Sequence, residues 1–393
     1  MTTPKKTNWP LVLLLWVAGL GAAAQYGKVS VVYDRLGPIY PEAGAALGWT
    51  VSLVGFLGMF LGVIAGIVVA RVRFRRALLG GLWIGAALSV VQAFLPPLPI
   101  FLLSRAIEGV SHLALVVAAP TLIAAVTAPE DTRKTLTLWG TFFGVAFSVL
   151  VFGGLPLADR FGVGGLFLAH AGVMAAMALI LSSRLPRIEE EPPAIDMSPK
   201  GLVQRHVAIY RSPWIGASGV GWLFYTFCFV SLLTLLPGFL DDSVRALVIG
   251  AMPLVSIVSS LTLGVFILRF ITAPQLIIGG FVLTALAAAL LVVFAANPVL
   301  CLLLAAALGL VQGASFAAVA ELNTKTEDRA AAYGSMAQTG NIGNTLGTPV
   351  MAAVIAASGY GGLMIVSTLI LLLGAGAHLW LAGLRRTAPG RDN

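Results

Sequence analysis

Charged residues are scarce in this sequence. Asp, Glu, Lys and Arg together make up 10% of its 393 residues, whereas 59% are hydrophobic. Because soluble domains carry about 25% charged residues, this composition excludes an ordinary soluble domain. It predicts an all-α integral membrane protein instead.

Cysteine is rarer still, with Cys228 and Cys301 both falling in apolar stretches. Two thiols without metal-ligand spacing form neither a disulfide framework nor a zinc site. The sequence also lacks a nucleophile–base pair, a phosphate-binding glycine loop and a cofactor fingerprint. We therefore predict no enzyme, no metal and no cofactor.

Apolar stretches of transmembrane length recur from one end of the chain to the other. A helix needs about 20 residues to cross the hydrocarbon core of a bilayer. Twelve such spans are predicted, and in chain order they are 9–31, 46–70, 77–95, 98–126, 135–157, 163–183, 213–238, 246–268, 274–295, 299–321, 331–357 and 361–384. The start of span 1 also has features of a cleaved signal peptide. An uncleaved helix is favoured because cleavage would break the internal repeat.

Basic residues outnumber acidic ones, 24 against 16, which gives a net charge of +8. If both termini are cytoplasmic, the inner segments hold all the basic residues except five: Lys28, Arg35, Arg105, Arg160 and Arg245. The positive-inside rule predicts this orientation, and we expect a plasma (inner) membrane. Contacts with anionic lipid headgroups account for the charge without a nucleic-acid partner.

The longest polar stretch, residues 184–212, separates two halves of six spans each. It predicts a cytoplasmic linker between an N-terminal bundle, 1–183, and a C-terminal bundle, 213–393. The second half of the linker carries an apolar helical face, which predicts a short helix on the inner membrane surface. That face consists of Leu202, Val203, Val207 and Tyr210.

The two halves show traces of an internal repeat. "EGVSH" at 108–112 in span 4 matches "QGASF" at 312–316 in span 10, and "WG" at 139–140 matches "YG" at 333–334. Repeated halves with a substrate site near the middle of the membrane are typical of secondary transporters.

Span 4 contains Arg105, Glu108 and His112 at positions i, i+3 and i+7, which places them on one helix face. Span 1 places Gln25 and Lys28 at a similar depth. Charged groups inside a membrane normally face a cavity or a partner. We predict that Gln25, Lys28, Arg105 and His112 bind substrate and that Glu108 carries a coupling proton.

Structural alternatives stay open for this group. Arg105 and Glu108 form a helix brace in the first alternative, with His112 hydrogen-bonded to a neighbouring helix. In the second, Lys28 snorkels to the outer membrane surface.

The C-terminal half offers neutral groups instead. Span 7 carries an aromatic stripe of Trp222, Tyr225 and Phe229, and span 11 carries Gln338 and Asn341 among several glycines. We predict that Tyr225, Phe229, Gln338 and Asn341 contact the body of the substrate and that the glycines permit bending. The alternative is helix packing.

Residues 66–76, "GIVVARVRFRR", resemble the G-x-x-x-D-[RK]-x-G-x-[RK]-[RK] loop of the major facilitator superfamily. The stretch departs from the motif at Ala70 and Arg73. Arg105 and Gly109 resemble the family's span-4 pair. The resemblance extends over essentially the whole chain and implies twelve helices in two pseudo-symmetric six-helix bundles. "APTLI" and "LWGTFFGVAFSV" are similar to the cyanate/nitroimidazole-transporter-like branch.

The resemblance also implies that the loop motif latches the inner helix ends in one conformation. The matching residues are Gly66, Arg71, Arg75 and Arg76. Because Ala70 replaces the usual acid, Glu130 or Asp131 is the expected partner of these arginines. In the alternative, the arginines only set the topology.

Together these features predict a monomeric, proton-coupled symporter of a small organic anion or zwitterionic metabolite. The alternative is a proton-antiporting exporter of amphipathic compounds or drugs. The aromatic stripe of span 7 favours that exporter, and the absence of a proline shortly after Gly144 disfavours it. A membrane sensor on the same fold is a third class, and no added soluble domain supports it.

Overall fold

A computed structural model describes residues 6–185 and 198–387, and every regular element in these ranges is helical. The first half contains Trp9–Ser30, Tyr33–Ile39, Pro41–Leu61, Ala65–Val72, Phe74–Ala93, Leu98–Ala125, Pro129–Asp131, Thr132–Gly140 and Phe142–Arg184. The second half contains Pro199–Arg211, Ala217–Phe239, Asp242–Ile267, Ala273–Val293, Pro298–Leu322 and Thr326–Thr387.

Ten helices in the described ranges are long and apolar enough to cross a membrane, and two of these are double length. The apolar stretch of Phe142–Arg184 has 43 residues and that of Glu327–Thr387 has 61. At about 1.5 Å per residue, each helix is at least twice as long as the hydrocarbon core of a bilayer is thick. Each breaks at a glycine with positive φ, Gly162 (74°) and Gly359 (60°). Each therefore supplies two spans, which confirms the predicted twelve.

Polar side chains at the loop ends set where several spans begin. Asn8 Oδ1 accepts a hydrogen bond from the Leu11 N–H at the start of span 1, and Asn297 caps span 10 in the same way. Thr272 and Gln275 form a capping box at span 9. Such caps satisfy N–H groups that the first helical turn leaves without partners.

The described residues divide into two compact units. The first comprises the described parts of Met1–Gly58 and Ile64–Ile195, and the second those of Met59–Val63 and Asp196–Asn393. The core of the first unit is built mainly from spans 1, 3, 4 and 6, and span 2 adds Val69. Its fully buried members include Leu15, Leu78, Leu115, Met174 and Leu181.

Glycines of span 11 allow close packing within the second unit. A Cβ at Gly343 would lie 2.5 Å from the Leu223 carbonyl oxygen of span 7, and one at Gly347 would meet the Phe227 carbonyl oxygen. Small residues let helix backbones approach in this way. In this structure the helix stays regular at these glycines, and its non-helical backbone angles fall at Gly359.

A short helix, Pro199–Arg211, occupies the second half of the linker, and we call it the linker helix. Ser198 caps its start by accepting a hydrogen bond from the Gly201 N–H. Val203 and Val207 are exposed on its surface. The first half of the predicted linker falls largely on residues 186–197, outside the described residues.

Candidate functional site: a buried charged cluster

Three charged side chains lie together in the interior of the first unit: Lys28, Arg105 and Glu108, each with 0% exposure. Lys28 Nζ is 2.7 Å from Glu108 Oε1, and Arg105 pairs with Glu108 Oε2. Gln92 Nε2 donates a third hydrogen bond to the carboxylate, at 2.9 Å from Oε2. Glu108 is therefore the shared counterion of two buried cations.

The remaining donors of Arg105 hold backbone carbonyls of two other spans. Nε donates to Thr50 O at 2.7 Å, and Nη2 donates to Gln25 O at 2.6 Å. The guanidinium thus joins spans 1, 2 and 4. The structure therefore contains the Arg105–Glu108 helix brace that the Sequence analysis gives as an alternative.

Lys28 has further contacts besides Glu108. Its Nζ donates to Ser89 Oγ at 2.6 Å and lies 5.5 Å from the centre of the Phe167 ring. The ammonium group gains electrostatic attraction from that ring face. The alternative in which Lys28 snorkels to the surface is wrong, because the side chain is wholly buried.

Gln25 and His112 each form a hydrogen bond between spans 1 and 4. His112 Nδ1 is 3.0 Å from Ala22 O, and its ring packs edge-on against Tyr26. Gln25 Nε2 donates to Ser111 Oγ at 2.6 Å. The structure therefore brings together all five residues predicted from spans 1 and 4.

The cluster carries two formal positive charges and one negative charge, which leaves an excess of +1. An uncompensated charge in a low-dielectric interior is unfavourable, so the site is suited to a second anionic group. Arg105 offers a planar fork for a carboxylate and Lys28 a compact point charge. Within the described ranges, no three His, Cys, Asp or Glu side chains group as metal ligands.

The cluster also contains three residues that the Sequence analysis does not predict as site residues: Ser89, Gln92 and His170. Ser89 and Gln92 lie at i and i+3 on span 3, a spacing that indicates a shared polar face. His170 stands alone on span 6, so its sequence neighbours carry no signal. Its Nδ1 lies 2.7 Å from Ser89 Oγ.

The predicted residues of the C-terminal half belong to the second unit. Trp222, Tyr225 and Phe229 stack in series, with ring centroids 4.5 and 5.3 Å apart. Asn341 donates to the Ala337 carbonyl of its own helix at 2.7 Å. The aromatic stripe is therefore formed as one continuous surface, whereas Asn341 bonds within span 11.

Gln338 contacts the linker helix. Its Oε1 accepts a hydrogen bond from Tyr210 Oη at 2.8 Å, and its Nε2 lies 3.3 Å from His206 Nε2. Nε2 also donates to Met59 O at 3.0 Å. In this structure Gln338 therefore bonds to protein groups through both ends of its amide.

Comparison with known families decides the class of the protein. A family model described as Major Facilitator Superfamily matches residues 11–245, well over half of the chain. The chain belongs to the major facilitator superfamily. It is a multi-pass membrane protein of a family of secondary transporters rather than enzymes. No curated protein matches the sequence.

The superfamily loop motif lies at the C-terminal end of span 2, where Gly66 and Arg71 belong to the helix Ala65–Val72. Arg75 Nη2 donates to the Ser182 carbonyl at 2.6 Å. In the described residues, the ion pairs join neither Arg71, Arg75 nor Arg76 to an acid.

Asp131, one predicted partner of these arginines, is engaged elsewhere. It accepts hydrogen bonds from Lys134 Nζ at 2.8 Å and from Thr7 Oγ1 at 2.7 Å. These two donors lower the pKa of the Asp131 carboxyl. Glu130, the other predicted partner, forms no ion pair in the described part of the chain. The predicted pairing is therefore wrong for this conformation.

Arg73 stands where the superfamily motif has its second glycine, and the structure shows why glycine belongs there. Arg73 has φ 74° and ψ 127°, a conformation that side chains disfavour. We expect Arg73→Gly to raise the free energy of unfolding by about 1 kcal/mol, because it removes this strain. The measurement is thermal unfolding in lipid nanodiscs beside Arg71→Gly, which lies within a helix and should lose stability. Equal effects of the two substitutions would contradict the strain argument.

Proposed function

We propose that this superfamily member transports a small organic anion or zwitterionic metabolite by alternating access, in symport with protons. The observation that carries the proposal is the buried excess of positive charge around Glu108. A carboxylate entering the site would neutralise that excess. The substrate would thus be recognised by its charge in the first unit.

Each residue of the cluster has a role in this proposal. Arg105 and Lys28 bind the carboxylate, with Gln25 and His112 beside it, and Glu108 carries the coupling proton. When Glu108 is protonated, both cations lose their shared counterion and are able to pair with substrate. Proton binding and anion binding thereby favour each other, as a coupling free energy requires.

The residues predicted from spans 7 and 11 would contact the body of the substrate. In this proposal Tyr225 and Phe229 contact it with their rings. Gln338 and Asn341 contact it with their amides. Because Gln338 bonds to Tyr210 of the linker helix, its contribution requires that this bond opens during the transport cycle.

The remaining assignments rest on the sequence. We propose a monomer in a plasma (inner) membrane, with both termini cytoplasmic and the loop residues Gly66, Arg71, Arg75 and Arg76 acting as an inner latch. Membership of the cyanate/nitroimidazole-transporter-like branch stays a prediction.

Proteoliposome uptake tests the proposal. The probes are ¹⁴C-labelled acetate, lactate, succinate and alanine, which cover mono- and dicarboxylates and a zwitterion. We expect an imposed pH gradient to drive accumulation of at least one probe, and a protonophore to abolish it. Arg105→Lys keeps the charge but loses the fork, so uptake should fall by about tenfold or more. Accumulation that ignores the pH gradient would contradict proton coupling.

The stacked aromatic surface of span 7 favours a second candidate, a proton-antiporting exporter of amphipathic compounds. Flat apolar cations bind aromatic faces well. Proton-driven extrusion of ethidium, together with no uptake of the four carboxylate probes, would replace the symporter by this candidate.

A further inference from the structure

His170 on span 6 faces the charged cluster. Its ring is 5% exposed, with Nδ1 at 2.7 Å from Ser89 Oγ and 3.4 Å from Lys28 Nζ. Its other nitrogen, Nε2, is 2.9 Å from Gly21 O. Both ring nitrogens therefore have hydrogen-bond partners inside the protein.

The partners fix the direction of these hydrogen bonds. A carbonyl oxygen only accepts, so Nε2 carries the hydrogen of the neutral His170 ring and Nδ1 is an acceptor. The Ser89 hydroxyl then donates to Nδ1, and its oxygen accepts from Lys28 Nζ at 2.6 Å. Two hydrogen bonds thus run in one direction from Lys28 through Ser89 to His170.

We propose that His170 is a second proton-carrying residue of this site and exchanges a proton with Lys28 through the Ser89 hydroxyl. Lys28 Nζ gives one hydrogen to Ser89 Oγ as the original Ser89 hydrogen moves to His170 Nδ1. One N–H and one O–H bond break while one O–H and one N–H bond form. The positive charge moves from Lys28 to His170, and Ser89 ends as it began.

The surrounding charges give this exchange a consequence. The helices around His170 bring Lys28 from span 1, Ser89 from span 3, and Arg105 and Glu108 from span 4. Two cations 3.4 Å apart repel each other, so the Lys28–His170 pair carries one positive charge at a time. When that charge is on His170, Glu108 loses its ion pair with Lys28.

The exchange would therefore prepare Glu108 to accept the coupling proton without exposing Lys28 to water. In this respect the inference rests on the proposed proton-coupled function. The protonation of His170 itself does not depend on the substrate.

Nitrogen NMR of ¹⁵N-histidine-labelled protein in lipid nanodiscs tests the proton site without a substrate. The chain has four histidines, and His170→Gln identifies the His170 signals by their loss. We expect hydrogen on Nε2 of the neutral ring, and hydrogen on both nitrogens at some pH at which the protein stays folded. A neutral ring with hydrogen on Nδ1, or a ring that never takes up a second proton while folded, would overturn the proposal.

Transport of the four labelled probes then tests the connection through Ser89. Ser89→Ala should reduce pH-gradient-driven accumulation by about tenfold or more, and Ser89→Thr, which keeps the hydroxyl, should restore part of that accumulation. Ser315→Ala is the matched control, because Ser315 is equally buried and donates to the Val311 carbonyl of its own helix.

The outcomes separate the two proposals. Accumulation by Ser89→Ala at the wild-type level would overturn the relay and leave the symporter intact. If the wild type accumulates none of the probes under a pH gradient, the symporter fails, and the histidine spectra alone decide whether His170 carries a proton.

Discussion

Glu108→Gln is expected to lower the free energy of unfolding by about 3–5 kcal/mol, the usual effect of removing one partner from a buried ion pair. The substitution keeps the size of the side chain but leaves Lys28 and Arg105 without a counterion. Both cations are fully buried, so water does not solvate their charges. Equilibrium unfolding in mixed detergent micelles measures the loss.

A charge series separates this effect from lost packing. Lys28→Met leaves the Arg105–Glu108 pair intact with no net charge, so it should be the mildest of the three variants. The double variant Lys28→Met/Glu108→Gln restores the wild-type excess of +1 and should be more stable than Glu108→Gln alone. A double variant no more stable than that single one would contradict the assignment of Glu108 as the shared counterion.

Gly343→Ala is expected to lower the free energy of unfolding by about 1–3 kcal/mol, the usual effect of overpacking. The added methyl group would lie 2.5 Å from the Leu223 carbonyl oxygen and 2.8 Å from the Phe227 nitrogen. Both are backbone atoms, so spans 7 and 11 would have to move apart. The same unfolding measurement reports the change.

Gly376→Ala is the matched control on the same long helix. A Cβ there meets no atom within 4 Å, and alanine favours a helix over glycine by about 1 kcal/mol. We expect this variant to be as stable as the wild type or more so. A similar loss of stability in both variants would show that the close approach at Gly343 has no special role.

The number and placement of the spans could be predicted from the sequence because length and hydropathy determine them. The prediction of span 4 as 98–126 differs by one residue from the helix Leu98–Ala125. The turns at Gly162 and Gly359 fall between predicted spans. The hydropathy pattern along the chain indicates such features, since a bilayer requires long apolar helices.

The contacts of the candidate site were harder to predict, because they depend on how each helix is rotated about its axis. Arg105 and Glu108 share a face through local spacing, so their pairing was foreseeable. His170 reaches Lys28 across 142 positions of sequence, and an apolar helix with a single polar residue gives no indication of its partner.

Gln338 is a second residue whose partners the sequence does not indicate. Its amide looked available for substrate, yet it accepts a hydrogen bond from Tyr210, 128 positions away. The glycines of span 11 were similarly ambiguous, because a glycine permits both bending and close packing. Only the positions of neighbouring backbone atoms distinguish the two.

Calorimetry of carboxylate binding to the purified wild type tests the central claim, that the Lys28–Arg105–Glu108 cluster binds an anion together with a proton. Titrations of acetate, lactate, succinate and alanine are made in two buffers with different ionisation enthalpies. We expect at least one probe to bind with uptake of about one proton, and Arg105→Lys to weaken this binding. Binding without proton uptake, or with equal affinity in Arg105→Lys, would contradict this claim.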